Sequence, residues 1–357
     1  MDPYEFLPEP GLEKLVIVML AVIGVVAILL VAPKVKVDVS SGDGPSVTVL
    51  ETRTVNGTTI RMIKRTGENY PDDGIRYPQI VYNWSGRQYV GPFIREVKPA
   101  LDWLRVNSPA NATVAAWWDY GPAIRGYANR SVVAFTPSAW AYRYTVSDSS
   151  GGWNTSRGEL ANASKIRDLA RLFVSNSSQE VVDTMQQYGV DYLILTAQDT
   201  AKYTAISMVA HNSTTPVTSI ASYGCVSRNG SCVLAERNGT TYLKYNGRGI
   251  QINVPVVSLG QGVKVVGAPN VYTRSAKTHI KHYCTERGVR TFNVSDAAFQ
   301  GCFAFRPGTH YRKLVYVPEG AMDAAFVRLF FMDEHGFERL EDVYTTRGLQ
   351  VYELERQ

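Results

Sequence analysis

The 357-residue chain holds 37 Lys and Arg against 32 Asp and Glu, with 45% hydrophobic and 19% charged residues. That balance excludes a disordered chain. The net charge of +5 is spread without a run of five basic residues, so no nucleic-acid partner is expected. Tyr, at 21, outnumbers Phe and Trp and suits half-buried strands and wet peptide- or carbohydrate-binding surfaces.

Residues 1–14 form a polar lead, expected on the cytoplasmic side. Leu15 to Ala32 is an unbroken apolar run of eighteen residues. As a helix it would be about 27 Å long, close to the hydrocarbon thickness of a bilayer. Pro33 ends it, and the acidic lead (Asp2, Glu5, Glu9, Glu13) without a small-residue cleavage site argues against a signal peptide. One transmembrane helix is therefore expected. Residues 33–94 read as a linker and short strands, with candidates at Val47 to Lys64 and Tyr77 to Val90.

From residue 95 to 215 helix and strand periods alternate. Helices are predicted at Glu96 to Val106, Leu160 to Phe173, Ser178 to Tyr188 and Gln198 to His211. Strands are predicted at Thr113 to Trp118, Val132 to Phe135 and Val190 to Thr196. The alternation predicts an α/β core domain with a largely parallel sheet. Residues 216–357 turn β-rich, with strands predicted at Val233 to Glu236, Thr240 to Tyr245, Gly249 to Leu259 and Val263 to Thr273. A helix at Ala321 to Phe331 and strands at Glu338 to Thr345 and Leu349 to Glu353 end the chain.

Eleven asparagines head Asn-X-Ser/Thr triplets: Asn56, Asn83, Asn111, Asn129, Asn154, Asn162, Asn176, Asn212, Asn229, Asn238 and Asn293. This enrichment predicts a glycoprotein surface outside the cell. Lys34 and Lys36 argue for the opposite orientation, but the cysteines side with the sequons. Four cysteines allow three connectivities, and the simplest joins near neighbours, Cys225 with Cys232 and Cys284 with Cys302. The expected location is thus the cell membrane, single-pass, with the globular part extracellular. His211, His279, His282, His310 and His335 show no metal-ligand spacing, and no metal site is expected in this chain.

The chemistry-bearing motif is Trp117-Trp118-Asp119-Tyr120-Gly121. It falls where a strand gives way to a helix, the place where α/β folds hold ligands. A Ser or Thr hydroxyl needs one acceptor and one donor, and Asp119 with the indole N–H groups offers both. The competing reading makes these residues two core tryptophans beside a capping carboxylate. On the predicted helix after Val190 to Thr196, Asp199, Lys202 and Ile206 stand at i, i+3 and i+7 and share one face. Alone, that pattern would be a solvated face with an ion pair.

Together these motifs resemble those of the oligosaccharyltransferase catalytic subunits, and archaeal members above all. The resemblance covers roughly residues 95–215 and 315–355, including the Asn129-Arg130 turn and the closing helix and strands. It implies that Trp117, Trp118, Asp119, Tyr120, Gly121, Asp199, Lys202 and Ile206 bind the Ser/Thr of an acceptor sequon, with Ile206 against the Thr methyl. It implies partners as well: acceptor polypeptides, a membrane, and a lipid-linked oligosaccharide brought by a multi-span module. In the family that module supplies catalytic carboxylates holding Mn²⁺ or Mg²⁺. Residues 1–14 carry no counterpart, so no catalytic residue is expected in this chain, and it would be inactive without such a module. The alternatives are a non-catalytic sequon-peptide binder and a structural surface glycoprotein sharing the fold.

Overall fold

The computed structural model describes residues 46–55, 58–66, 79–84, 87–92, 97–134, 163–213, 215–228, 231–259, 262–307, 311–332, 336–346 and 348–356. The apolar segment 15–32 lies outside them. Among the described residues no helix is long and apolar enough to cross a membrane.

The first strands form an antiparallel meander: β1 (Ser46–Val55), β2 (Thr58–Thr66), β3 (Gln79–Trp84) and β4 (Arg87–Pro92). Next comes α1 (Lys98–Asn107), which buries Ala100, Leu101 and Leu104 along one stripe and carries Pro99 in its first turn. A proline in the first turn removes only an N–H that the helix leaves unpaired. Strand β5 (Thr113–Ala115) leads into the helical corner Trp118–Ala128 and then β6 (Ser131–Val132). Helix α2 (Ala163–Val174) turns Ile166, Leu169, Ala170 and Phe173 inward. Helix α3 (Ser178–Gln187) is capped by the Ser177 hydroxyl, which accepts from the Glu180 N–H at 3.3 Å. The chain leaves α3 through Gly189 at φ +60°, a left-handed turn that needs no Cβ. Strand β7 (Tyr192–Thr196), buried at every residue, feeds α4 (Asp199–Ala210).

The sheet of this layer is mixed, where the alternation of helix and strand predicts a largely parallel one. Its order is β20-β21-β7-β5-β6, with β20 (Leu340–Thr346) and β21 (Leu349–Leu354) from the end of the chain. Strands β5, β6 and β7 pair in parallel, but β21 runs antiparallel to β7 and β20 antiparallel to β21. The antiparallel members come from the last hairpin: its short turn makes β20 and β21 antiparallel, and β21 pairs the edge of β7 in the opposite direction. The C-terminal strands thus belong to the same core as α1–α4.

Between α4 and that hairpin lies the β-rich region. Its strands are β8 (Ala221–Cys225), β9 (Ser227–Arg228), β10 (Ser231–Cys232), β11 (Leu234–Arg237), β12 (Thr240–Gly247), β13 (Ile250–Leu259), β14 (Gly262–Val265), β15 (Asn270–Tyr272), β16 (Lys277–Thr285), β17 (Gly288–Thr291), β18 (Phe299–Phe305) and β19 (Lys313–Val317). The path β12-β8-β19-β18-β16-β15-β13 closes on itself because β12 also pairs β13. Closure removes the exposed edges that an open sheet would present. Alternate residues fill the interior: Leu243 and Tyr245 on β12, Ile252, Val254 and Val256 on β13, and Phe303 and Leu314 across β18 and β19. The intervening Cys302, Ala304, Val315 and Val317 point the other way into the α/β core. One wall of the barrel is therefore shared by both cores.

Both expected disulfides are present, Cys225–Cys232 with Cα atoms 5.6 Å apart and Cys284–Cys302 with 5.7 Å. The second ties β16 to β18 in the shared wall, with both cysteines buried. Replacing Cys284 and Cys302 together by Ala should cost about 2–4 kcal/mol in non-reducing urea unfolding. The Cys225/Cys232 pair closes the shorter loop at a half-buried site and should cost less. The reverse order would contradict the shared wall.

Candidate functional site

The two motifs meet at the end of β5 and the start of α4. After β5, Trp117 keeps extended backbone, and Trp118–Tyr120 makes a single tight turn closed by the Tyr120 N–H on the Trp117 carbonyl at 3.0 Å. Gly121 and Pro122 continue into helix, and the corner ends at Asn129 with φ +56°, a left-handed position that Asn tolerates. Arg130 then fixes the corner to α1. Its guanidinium, buried, donates to the carbonyls of Leu104, Arg105, Ser108, Ala128 and Asn129 and to the Ser108 hydroxyl. Most of these carbonyls lie at a helix end, and a planar five-donor group can reach several of them at once where an ammonium would not.

Trp117, Trp118 and Ile206 are 4%, 6% and 0% exposed. The two tryptophans are therefore packed as core, as the competing reading of the motif has them, and their indoles do not line an open site. Rings explain why: Trp117 lies 6.2 Å from Trp118 and 6.3 Å from Phe173 of α2, Phe173 stacks on Phe326, and Phe326 stacks on Tyr203 of α4. This aromatic chain welds the corner to α4 and places the polar groups of both motifs side by side.

Lys202 is the centre of that polar group. Its Nζ lies 2.6 Å from Asp119 Oδ2, donates to the Tyr120 hydroxyl at 2.9 Å, and stands 4.0 Å from Asp199 Oδ1. The Lys202 and Asp119 side chains are 23% and 19% exposed, whereas Asp199 is wholly buried. Asp119 Oδ1 is also buried but has no hydrogen-bond partner. The donor beside Asp119 is thus the Lys202 ammonium, a role the sequence reading gave to the indoles. Tyr120, buried, donates to Asp199 Oδ1 at 2.9 Å and lies 2.7 Å from Thr196 Oγ1. Burial and the two neighbouring carboxylates hold its phenol well above the usual value, so it stays protonated.

Thr196, the last residue of β7, went unnoticed in the sequence. Its N–H donates to Asp199 Oδ2 at 2.8 Å, and its hydroxyl accepts the Gln198 N–H at 3.1 Å. The signal was there: Thr-X-X-Asp is the spacing of a reciprocal cap at the start of a helix.

The remaining residues singled out in the sequence lie elsewhere. His279 and His282 are on strand β16; His279 contacts Asp296 and Asn270, and His282 contacts Thr291. Among the sequons, Asn111, Asn176, Asn212, Asn238 and Asn293 are exposed and Asn129 is half-buried. The side chain of Asn83 and all of Asn56, Asn154, Asn162 and Asn229 lie outside the description. Among the described residues no group of three or more His, Cys, Asp or Glu is placed to hold a metal ion.

No family model matches the chain. Among curated proteins, it is 25% identical over 258 residues to dolichyl-phosphooligosaccharide-protein glycotransferase 2 of Pyrococcus horikoshii, covering 72% of this chain and 28% of that relative. It is 32% identical over 120 residues to the protein of the same name in Pyrococcus furiosus, covering 30% of this chain and 15% of that one. The chain thus spans less than a third of the length of the curated relatives it matches. Among solved structures, the C-terminal globular domain of an oligosaccharyltransferase from Pyrococcus abyssi is 16% identical, with a TM-score of 0.38, over 72% of this chain and 49% of that one.

Burial pushes the Asp199 carboxyl up to about 6, opposed by the Lys202 ammonium and reinforced by Asp119. A carboxyl raised in the fold contributes stability below its unfolded value near about 4 and loses it as pH rises through about 6. The Asp199 contribution should therefore decline across that window, and Asp199→Asn should flatten this part of a urea-unfolding pH series. An unchanged slope in the variant would show that Asp199 is not the buried titrating group.

Proposed function

We propose that this chain, a member of the oligosaccharyltransferase catalytic-subunit family, recognises the Ser or Thr hydroxyl of Asn-X-Ser/Thr acceptors at the Asp119–Lys202 corner. The observation that carries this reading is the divided use of the Asp119 carboxylate. Oδ2 is held by Lys202, while Oδ1 is buried without a partner. An ammonium has three protons. Asp119 and Tyr120 take two from Lys202, and in this reading the third turns to the acceptor hydroxyl and not to Asp199 Oδ1, 4.0 Å away. A hydroxyl donates to Asp119 Oδ1 and accepts from Lys202; a methyl group does neither and leaves both unpaired. Because Oδ1 is covered, the acceptor enters by local opening of the corner, and its hydroxyl replaces the lost packing with two hydrogen bonds to charged groups.

The wider setting follows the same reading. The segment 15–32 is the membrane span that delivers the globular part to the outer face. Exposed sequon asparagines and two disulfides suit an oxidising, glycosylating compartment there. Transfer from the lipid-linked oligosaccharide to the acceptor Asn belongs to a multi-span module that brings the carboxylates for Mn²⁺ or Mg²⁺. In this reading the share of the described residues is binding and orienting the acceptor.

Peptide binding tests this. Asp119→Ala should lower affinity for an Asn-X-Thr peptide about 10- to 100-fold while the fold is kept. Changing the peptide Thr to Val should cost about as much. In the double-mutant cycle the two losses should fail to add, because they remove the same hydrogen bond. Full additivity in calorimetry would place the hydroxyl elsewhere.

A further inference from the structure

We infer that Thr196, on the floor of the corner, is a positioning residue that sets how strictly the site demands a hydroxyl; the inference rests on the reading of Asp119 and Lys202 above. The argument starts from the Tyr120 hydroxyl, which has one proton, two lone pairs and three neighbours. Lys202 only donates, and ionised Asp199 only accepts. The Tyr120 proton therefore goes to Asp199 Oδ1, and one lone pair receives Lys202. The Thr196 hydroxyl, 2.7 Å away, must then be the donor to the second lone pair. Its own lone pair is free to accept the Gln198 N–H, as the structure has it. A single direction of hydrogen bonding satisfies every group in this buried set.

The consequence is mechanical. Thr196 and Asp199 hold the phenol oxygen from two elements, the end of β7 and the start of α4. The phenol oxygen and Asp119 Oδ2 in turn hold the Lys202 ammonium, 2.9 and 2.6 Å away. Lys202 also lies over the Tyr120 ring, 4.0 Å from its centroid, so any tilt of that ring moves the ammonium with it. Thr196 lies behind the phenol and in this reading acts through Tyr120, not on the acceptor itself. Without its hydroxyl the phenol oxygen is held from α4 only, by Asp199 and by Lys202 itself, and the third Lys202 N–H loses its fixed direction toward the place of the acceptor hydroxyl.

The test uses the full chain with Thr196→Val, which keeps the side-chain shape, and Thr196→Ser, which restores the hydroxyl. The first readout needs no ligand: ¹⁵N relaxation of the Lys202 ammonium. Its order should fall in Thr196→Val and return in Thr196→Ser; an unchanged ammonium in the Val variant overturns the inference. The second readout is the ratio of affinities for Asn-X-Thr and Asn-X-Val peptides. Thr196→Val should shrink that ratio by roughly 3- to 10-fold, the effect of one neutral hydrogen bond. Equal weakening toward both peptides would make Thr196 merely structural and overturn the specificity role. A wild-type chain that binds both peptides equally well would defeat the acceptor reading instead, while the ammonium measurement would still decide whether Thr196 positions Lys202.

Discussion

One partly buried ammonium shared between two carboxylates is the constraint around which this site is built. Lys202 stands between Asp119 and Asp199, one from each motif, so its position exists only when the corner after β5 and the first turn of α4 are in register. Taking charges out of water is costly unless they are paired and their remaining hydrogen-bonding capacity is met. Tyr120 and Thr196 meet that need on the inner side. One covered oxygen of Asp119 is left unmet, and that shortfall marks where a ligand would contribute most.

The rest of the molecule keeps this arrangement rigid. Arg130 clamps the corner to the end of α1, and the aromatic chain from Trp117 to Tyr203 clamps it to α4. Strand β7 runs between β5 and β21, so the strands that carry both motifs are interior to their sheet. The barrel adds a second layer of support: its wall of β18 and β19 presents Cys302, Ala304, Val315 and Val317 to the α/β core. Among the described residues, the barrel supports the polar cluster from behind and adds no charged group to it.

How much of this was legible in the sequence depended on periodicity. Helices α1 to α3 appear within a few residues of their predicted places because their apolar stripes repeat with helical spacing, while β7 and α4, buried on more than one face, were marked by an unbroken apolar run and the helix-forming stretch after it. The sheet's mixed direction was not legible, since pairing direction is decided by a hairpin more than a hundred residues downstream of β7. Strands β16, β18 and β19 were missed as well. Their two faces pack against two different cores, which erases the alternation that marks a half-buried strand. At the site, spacing found Asp119 and Lys202 but not that they touch. It also presented Trp117, Trp118 and Ile206 as a lining, whereas ring packing made them the foundation.

The account turns on where the acceptor hydroxyl sits, and a crystal structure of the chain with an Asn-X-Thr peptide measures that directly. The peptide hydroxyl should lie about 3 Å from both Asp119 Oδ1 and Lys202 Nζ, with the Asp119 Oδ2–Lys202 pair retained. A bound peptide whose hydroxyl pairs with other groups, while Asp119 Oδ1 stays covered and unpartnered, would contradict it.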